Sequence, residues 1–236
     1  MTNKDMNLQN KTIVITGASD GLGREIALKL AKEKTNLILI ARNQEKLSEV
    51  EKECLNLGAV SVKNFAVDIR STAELKKVLG QLLNVDILIN NAGIWQKVGA
   101  LEEIEESVID DVIATNLTAM IHCTQLLLPN LKKQPEAAII NISSRSGLIA
   151  PKGQSIYAAS KWGVTGFTEV LKVDLKDTDI RVAGIYQGKM NTKIFEKTGD
   201  EVSTENYTNP SDLAEVIVFM LSRPSKIWLH DVRVEY

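Results

Sequence analysis

Tyr157 and Lys161 stand four residues apart in Tyr157-Ala-Ala-Ser-Lys161, within a stretch from Ser155 to Lys176 whose apolar spacing predicts a helix. On a helix that interval puts both side chains on one face, an ammonium beside a phenol. A free phenol titrates near ~10, so poising it close to neutrality takes about three pH units, roughly 4 kcal/mol of differential interaction. A neighbouring cation works in that direction because it favours the phenolate. The pair can therefore take up and return a proton. Ser144 follows the apolar run Ala137 to Ser143, at the carboxyl end of a predicted strand, where open α/β sheets bind ligands. Its hydroxyl can donate to a substrate oxygen.

A second constellation lies near the amino terminus, in Thr16-Gly17-Ala18-Ser19-Asp20-Gly21-Leu22-Gly23. A predicted strand, Thr12 to Thr16, precedes it, and a helix with Leu22, Ile26 and Leu30 at four-residue spacing follows. Glycines there allow a tight turn and a close approach of backbone to a pyrophosphate, while the helix start offers free N–H groups and partial positive charge. A purely structural turn would use the same glycines, but the placement between strand and helix favours a dinucleotide cradle. Arg42 follows the second predicted strand, Asn36 to Ala41, where a carboxylate would bind the free 2′-hydroxyl of NAD. An arginine suits a 2′-phosphate instead. Asp20, an anion inside the glycine loop, argues the other way unless its carboxylate is directed elsewhere. NADP(H) is favoured and NAD(H) is possible.

The elements that must position these groups alternate along the whole chain. Short β-branched runs at Thr12 to Thr16, Asn36 to Ala41, Val62 to Val67, Val85 to Asn90, Ala137 to Ser143, Ile180 to Ile185 and Trp228 to Val234 are separated by amphipathic stretches. Those stretches are Leu22 to Lys34, Glu45 to Leu57, Thr72 to Leu83, Ile104 to Leu131, Ser155 to Lys176 and Ser211 to Ser222, the last with Ser211 as its helix cap. Strands that are nearly continuous apolar runs predict a parallel sheet covered on both faces, hence an α/β, doubly wound, Rossmann-type fold of about seven strands. No Pro-, Gly- or Ser-rich stretch divides the 236 residues, so residues 1–236 are read as one domain. Residues 187–209 are polar and read as a long loop shaping the substrate and cofactor site.

Composition limits the partners. With 44% hydrophobic and 25% charged residues and a net charge of -2, nothing favours nucleic acid or an anionic membrane, and a small molecule is the default substrate. No run approaches the ~20 apolar residues of a membrane span. The polar start and only two cysteines, Cys54 and Cys123, point to the cytoplasm. His122 reads as helix packing, and His230 has no clustered Cys or His, so no metal site is expected.

Taken in order, these motifs resemble those of the short-chain dehydrogenase/reductase family. The resemblance also covers Asn90-Asn91-Ala92-Gly93, similar to the family's NNAG, and the tyrosine motif YxxxK at Tyr157 and Lys161. It implies that Asn90, Ala92 and Gly93 shape the floor under the cofactor, that Asp68 contacts adenine, and that Asn116 is the catalytic asparagine, holding a water next to Lys161. It also implies that Ser144 orients the substrate, that Lys161 holds the nicotinamide ribose, and that Gly188 and Thr192 lie at the nicotinamide, Thr192 contacting its carboxamide. The implied activity is carbonyl–alcohol interconversion by hydride transfer with Tyr157 as general acid/base, in a homodimer or homotetramer. Two departures stand out: Gln187-Gly188 replaces the frequent Pro-Gly, and the chain lacks the frequent glycine-rich ending. That ending is more similar to NADP-dependent reductases of 3-hydroxy acids and serine-like substrates. A nucleotide-binding sensor without turnover, or an epimerase or dehydratase using the nicotinamide transiently, are the rival readings. Trp95, just past the NNAG run, either lines the pocket or plugs the sheet edge.

Overall fold

A computed structural model describes residues 7–200, 203–224 and 227–235. Seven strands form one parallel sheet in the order β3-β2-β1-β4-β5-β6-β7. They are β1 (Thr12–Thr16), β2 (Asn36–Ala41), β3 (Ser61–Ala66), β4 (Ile87–Asn90), β5 (Ala137–Ile142), β6 (Ile180–Gln187) and β7 (Asp231–Val234). Between them run α1 (Gly21–Lys32), α2 (Gln44–Leu57), α3 (Thr72–Leu79), α4 (Glu106–Ile113), α5 (Ala119–Leu131), α6 (Ser155–Asp174) and α7 (Pro210–Ser222). This is the doubly wound Rossmann-type arrangement expected from the alternation of runs.

Alternation of side chains along each strand divides the core into two layers. Ile13, Ile15, Leu37, Leu39 and Ile140 pack with α1 and α7 residues such as Ile26 and Leu213. Val14, Ile38, Leu88 and Ile139 face the other way, against Leu75 of α3, Leu127 of α5 and Leu171 of α6. The continuous apolar pattern belongs to the inner strands, β4 and β5 being buried throughout. The edge strands β3 and β7 are less covered, half-buried positions being interspersed with exposed ones.

Several boundaries move for identifiable reasons. Strand β6 runs on to Gln187 because Tyr186 and Gln187 pair with Arg233 and Val234 of β7. Strand β7 begins only at Asp231; Trp228, expected at its start, instead donates from Nε1 to the Val182 carbonyl at 2.8 Å with the Arg181 guanidinium 4.6 Å over its ring. Helix α7 is capped by Asn209, whose Oδ1 accepts the Ser211 N–H at 3.1 Å, with Pro210 in the first turn, so Ser211 is not the cap. The long helix expected from Ile104 begins at Glu106 and is interrupted by a π turn, Ala114–Thr118, where the Ala119 N–H reaches the Ala114 carbonyl.

By length and composition the helix Glu106–Leu131 could cross a membrane, where the sequence reading found no such run. Its apolar residues include Ala119, Cys123, Leu127 and Leu131, all packed beneath the sheet. Residues 201 and 202 of the 187–209 loop lie outside the described residues.

Candidate active site

The sheet order reverses between β1 and β4, and a crevice opens there at the carboxyl ends of the strands. It is a cleft of about 1020 Å³ running from Gly17 and Arg42 at one end to Tyr157 and Lys161 at the other. Of the residues named from the sequence, Gly17, Ser19, Asp20, Gly21, Leu22, Arg42, Asp68, Ala92, Gly93, Tyr157, Lys161 and Thr192 line it. Gly23, Asn90, Asn116, Ser144 and Gly188 do not, and what they touch explains their placement.

The cradle is built from backbone. Gly17 has φ +68, and a Cβ there would sit 2.8 Å from Ala92 Cα; at Gly23 it would sit 2.3 Å from the Gly17 carbonyl oxygen. Neither site admits a side chain. Asn91 ties this turn to the end of β4, donating from Nδ2 to the Thr16 carbonyl at 3.0 Å, while Thr16 Oγ1 accepts the N–H groups of Asn91 and Ala92. Asn90 points away from the cleft: it is buried, and its amide donates to Thr124 and Asn141 at 3.0 and 2.9 Å. Gly188 is held against β7, its N–H donating to the Val234 carbonyl at 2.7 Å.

Asp20 caps α1, accepting the Gly21 N–H at 2.9 Å, and its other oxygen pairs with Lys46 Nζ at 2.9 Å. The anion that counted against a 2′-phosphate is thus matched by a cation that sequence reading missed. Lys46 lines the cleft with Arg42, and the local signal was available: Asn43 caps α2 by accepting the Lys46 N–H at 2.9 Å, which fixes Lys46 in the first turn after Arg42. Asp68 faces Arg70, another residue not anticipated. Hydrogen bonds from the Arg70 guanidinium, at 2.7 to 3.1 Å, hold the Asp68 carboxyl below its usual range, and Arg70 also bonds Asp111.

At the far end α6 presents Tyr157 and Lys161 together, both buried. Lys161 Nζ lies 5.7 Å from the Tyr157 ring centroid and donates to the Ile142 carbonyl at 3.0 Å. Burial decides the titration of both. It pushes the Tyr157 phenol up to about 12, with a hydrogen bond to Ser144 acting in the opposite sense, and it brings the Lys161 ammonium down to about 8. The sequence assigns the pull of the phenol toward neutrality to Lys161 assisted by an oxidised nicotinamide; burial works against that pull. Ser144 lies behind Tyr157 and caps the short turn Arg145–Gly147 by accepting the Ser146 N–H at 3.2 Å.

The π turn swings Asn116 inward, where Oδ1 accepts the Ile94 N–H at 2.7 Å and Nδ2 donates to the Ile94 carbonyl and to Ser160 Oγ. Its amide therefore pins the chain just after Gly93. Gln96, also unanticipated, accepts the N–H groups of Ile156 and Tyr157 at 3.0 and 2.9 Å and so holds the first turn of α6. Trp95 does line the cleft. Its ring meets Tyr157 edge-on at 4.5 Å and Phe195 at 5.1 Å, and its indole N–H donates to Asp200 at 2.6 Å.

A family model described as short chain dehydrogenase matches residues 11–203. An NADP-dependent 3-hydroxy acid dehydrogenase of Schizosaccharomyces pombe is 33% identical, the match covering 96% of this chain and 93% of that one. Among solved structures, an actinorhodin polyketide ketoreductase with NADPH is 30% identical, covers 95% of both chains and superposes with a TM-score of 0.85. A serine dehydrogenase complexed with NADP+ is 26% identical over 94% of both chains, with a TM-score of 0.86.

Proposed function

The chain belongs to the short-chain dehydrogenase family, and from that premise we propose that it interconverts a carbonyl and a secondary alcohol on a small molecule, with NADP(H) as redox partner. One observation carries the reading: a buried Tyr157–Lys161 pair stands at one end of a continuous cleft whose other end is a glycine cradle flanked by Arg42 and Lys46. Bound nicotinamide supplies or accepts the hydride. The protein's part is to hold and move the proton. Tyr157, kept as a phenol through neutral pH by burial, is in the right form to protonate a carbonyl oxygen during reduction. Ser144 behind it steadies the same oxygen, and Lys161 supports the phenolate that reduction leaves.

The choice of NADP(H) over NAD(H) is supported by the pairing of Asp20 with Lys46, which offsets the anion of the glycine loop while the guanidinium of Arg42 lines the same end of the cleft. The NADP-dependent enzymes with which the chain aligns support it as well. Small hydroxy acids are the substrate class suggested by the relative from fission yeast. Assembly into a dimer or tetramer is part of the same reading, since Trp162, Val170 and Val173 form an exposed apolar stripe along α6 at i, i+8 and i+11.

The test is to follow the melting temperature with NADPH and, separately, NADH. At a hundredfold excess over Kd a ligand adds ~2.7 kcal/mol, about 5 to 10 °C for a chain of this size. A rise with NADPH and little with NADH is the expected result. A larger rise with NADH overturns the NADP(H) assignment, and no rise with either overturns the enzymatic one.

A further inference from the structure

Gln187 occupies the place where the family commonly has proline, and it lines the cleft at the reaction end. Its backbone is fixed. As the last residue of β6 it pairs with Val234, and the next N–H, that of Gly188, is bonded to the Val234 carbonyl at 2.7 Å. The position is also close to the chemistry: Ile142, whose carbonyl holds Lys161, is in register with Ile185, two residues before Gln187 on the adjacent strand. Yet Gln187 Oε1 is buried with no hydrogen-bond partner among the described residues. Buried polar atoms are almost always paired, so a buried acceptor left alone at a ligand cleft calls for a donor from elsewhere.

Resting on the NADP(H) reading, we propose that Gln187 accepts a hydrogen bond from the carboxamide N–H of the bound nicotinamide, so that a side chain of this protein senses the amide of its cofactor. The chemistry is specific. The carboxamide is the part of the nicotinamide ring that carries N–H donors, and an amide oxygen is a strong neutral acceptor for them. A proline at this point offers no such group. Thr192, which also lines this end of the cleft, has a hydroxyl able to serve the carboxamide's other atoms, so the amide would be read on two sides. Ring orientation, and with it the face from which hydride leaves, would then depend on Gln187 more than on backbone restraint.

The experiment compares the dissociation constants of NADP+ and its 3-acetylpyridine analogue, measured by quenching of tryptophan fluorescence in wild type and in Gln187→Met. The analogue has a methyl ketone in place of the carboxamide, so it keeps the carbonyl and loses the N–H donors. Wild type is expected to prefer NADP+ by roughly tenfold, and Gln187→Met to reduce that preference to about threefold or less, through weaker NADP+ binding alone. An unchanged preference in Gln187→Met overturns the proposal. Failure of wild type to bind NADP+ at all removes the cofactor reading first and this inference with it, which is a distinguishable result. Should Gln187→Met fail to fold, Gln187→Pro takes its place and the same ratio decides.

Discussion

At the cradle end of the cleft, position is set by backbone: Gly17 and Gly23 approach Ala92 and each other too closely for any Cβ, and Asn91 ties the turn to β4 through carbonyl oxygens. At the reaction end it is set by buried polar side chains. Lys161 is buried, Asn116 and Gln96 hold neighbouring chain segments through their amides, and among the described residues Gln96 Nε2 and Gln187 Oε1 have no partner. The first kind of construction is intolerant of substitution but indifferent to pH. The second gives up stability, since a buried cation and unpaired amide atoms each oppose folding. The contrast teaches that the two ends of one cleft are built by different means, backbone at the cradle and buried side chains where protons move.

The comparison can be broken most severely at the proton. Tyr157→Phe removes the acid without touching the cradle, so turnover should drop by about a thousandfold while NADPH binding, followed by fluorescence titration, stays within about twofold. Turnover near the wild-type rate in that variant would rule out the assigned mechanism.

A smaller effect, of opposite sign for stability, is expected at Lys161. Its folded pKa of about 8 lies below the ordinary 10.5, so between those values the folded state binds fewer protons than the unfolded one and stability rises with pH. Below pH 8 the full penalty applies, roughly 3 kcal/mol. Lys161→Met should therefore be inactive yet melt about 5 to 10 °C higher than wild type at pH 7, with the difference shrinking toward zero above the ordinary lysine pKa of 10.5. Equal melting temperatures at pH 7 would show that the enclosed ammonium is not a burden.

The smallest expected effect is at the cradle's rim. Arg42→Ala and Lys46→Ala should each lower the preference for NADPH over NADH by about tenfold, as charge-assisted contacts do. Lys46→Ala also leaves Asp20 facing the site, so adding Asp20→Asn to it should recover part of the loss. Isothermal titration with both cofactors reads this directly, and equal losses for NADPH and NADH would sink the 2′-phosphate assignment.

What was legible in the sequence was local. Thr12–Thr16 is a contiguous β-branched run and Leu37 to Ala41 a contiguous apolar one, and the strand bounds follow from that. The i, i+4 spacing of Tyr157 and Lys161 needs only a helix. Less visible were features decided by partners far along the chain. Gln187 belongs to β6 only because Val234 lies beside it, and Asn116 turns inward because five residues adopt a π turn that no periodicity announces. The Asp20–Lys46 pair is intermediate: the cap at Asn43 was readable, but the direction of the lysine across the loop was not. The sequence credits Lys161, assisted by an oxidised nicotinamide in a partly dry site, with lowering the Tyr157 pKa; the extent of the burial, which pushes the phenol up to about 12, was not legible in it.

The strand order has a consequence for how the molecule comes into being. β1 lies inside the sheet with β2 and then β3 added on one side, after which β4, β5, β6 and β7 follow one another outward on the other. Every strand can thus be laid onto an open edge in the order in which a ribosome releases it, with no earlier pair having to part. A nascent chain would complete its nucleotide cradle once β4 docks, before Tyr157 has been synthesised. The reactive end, with its enclosed lysine, would be closed last, onto a scaffold already standing.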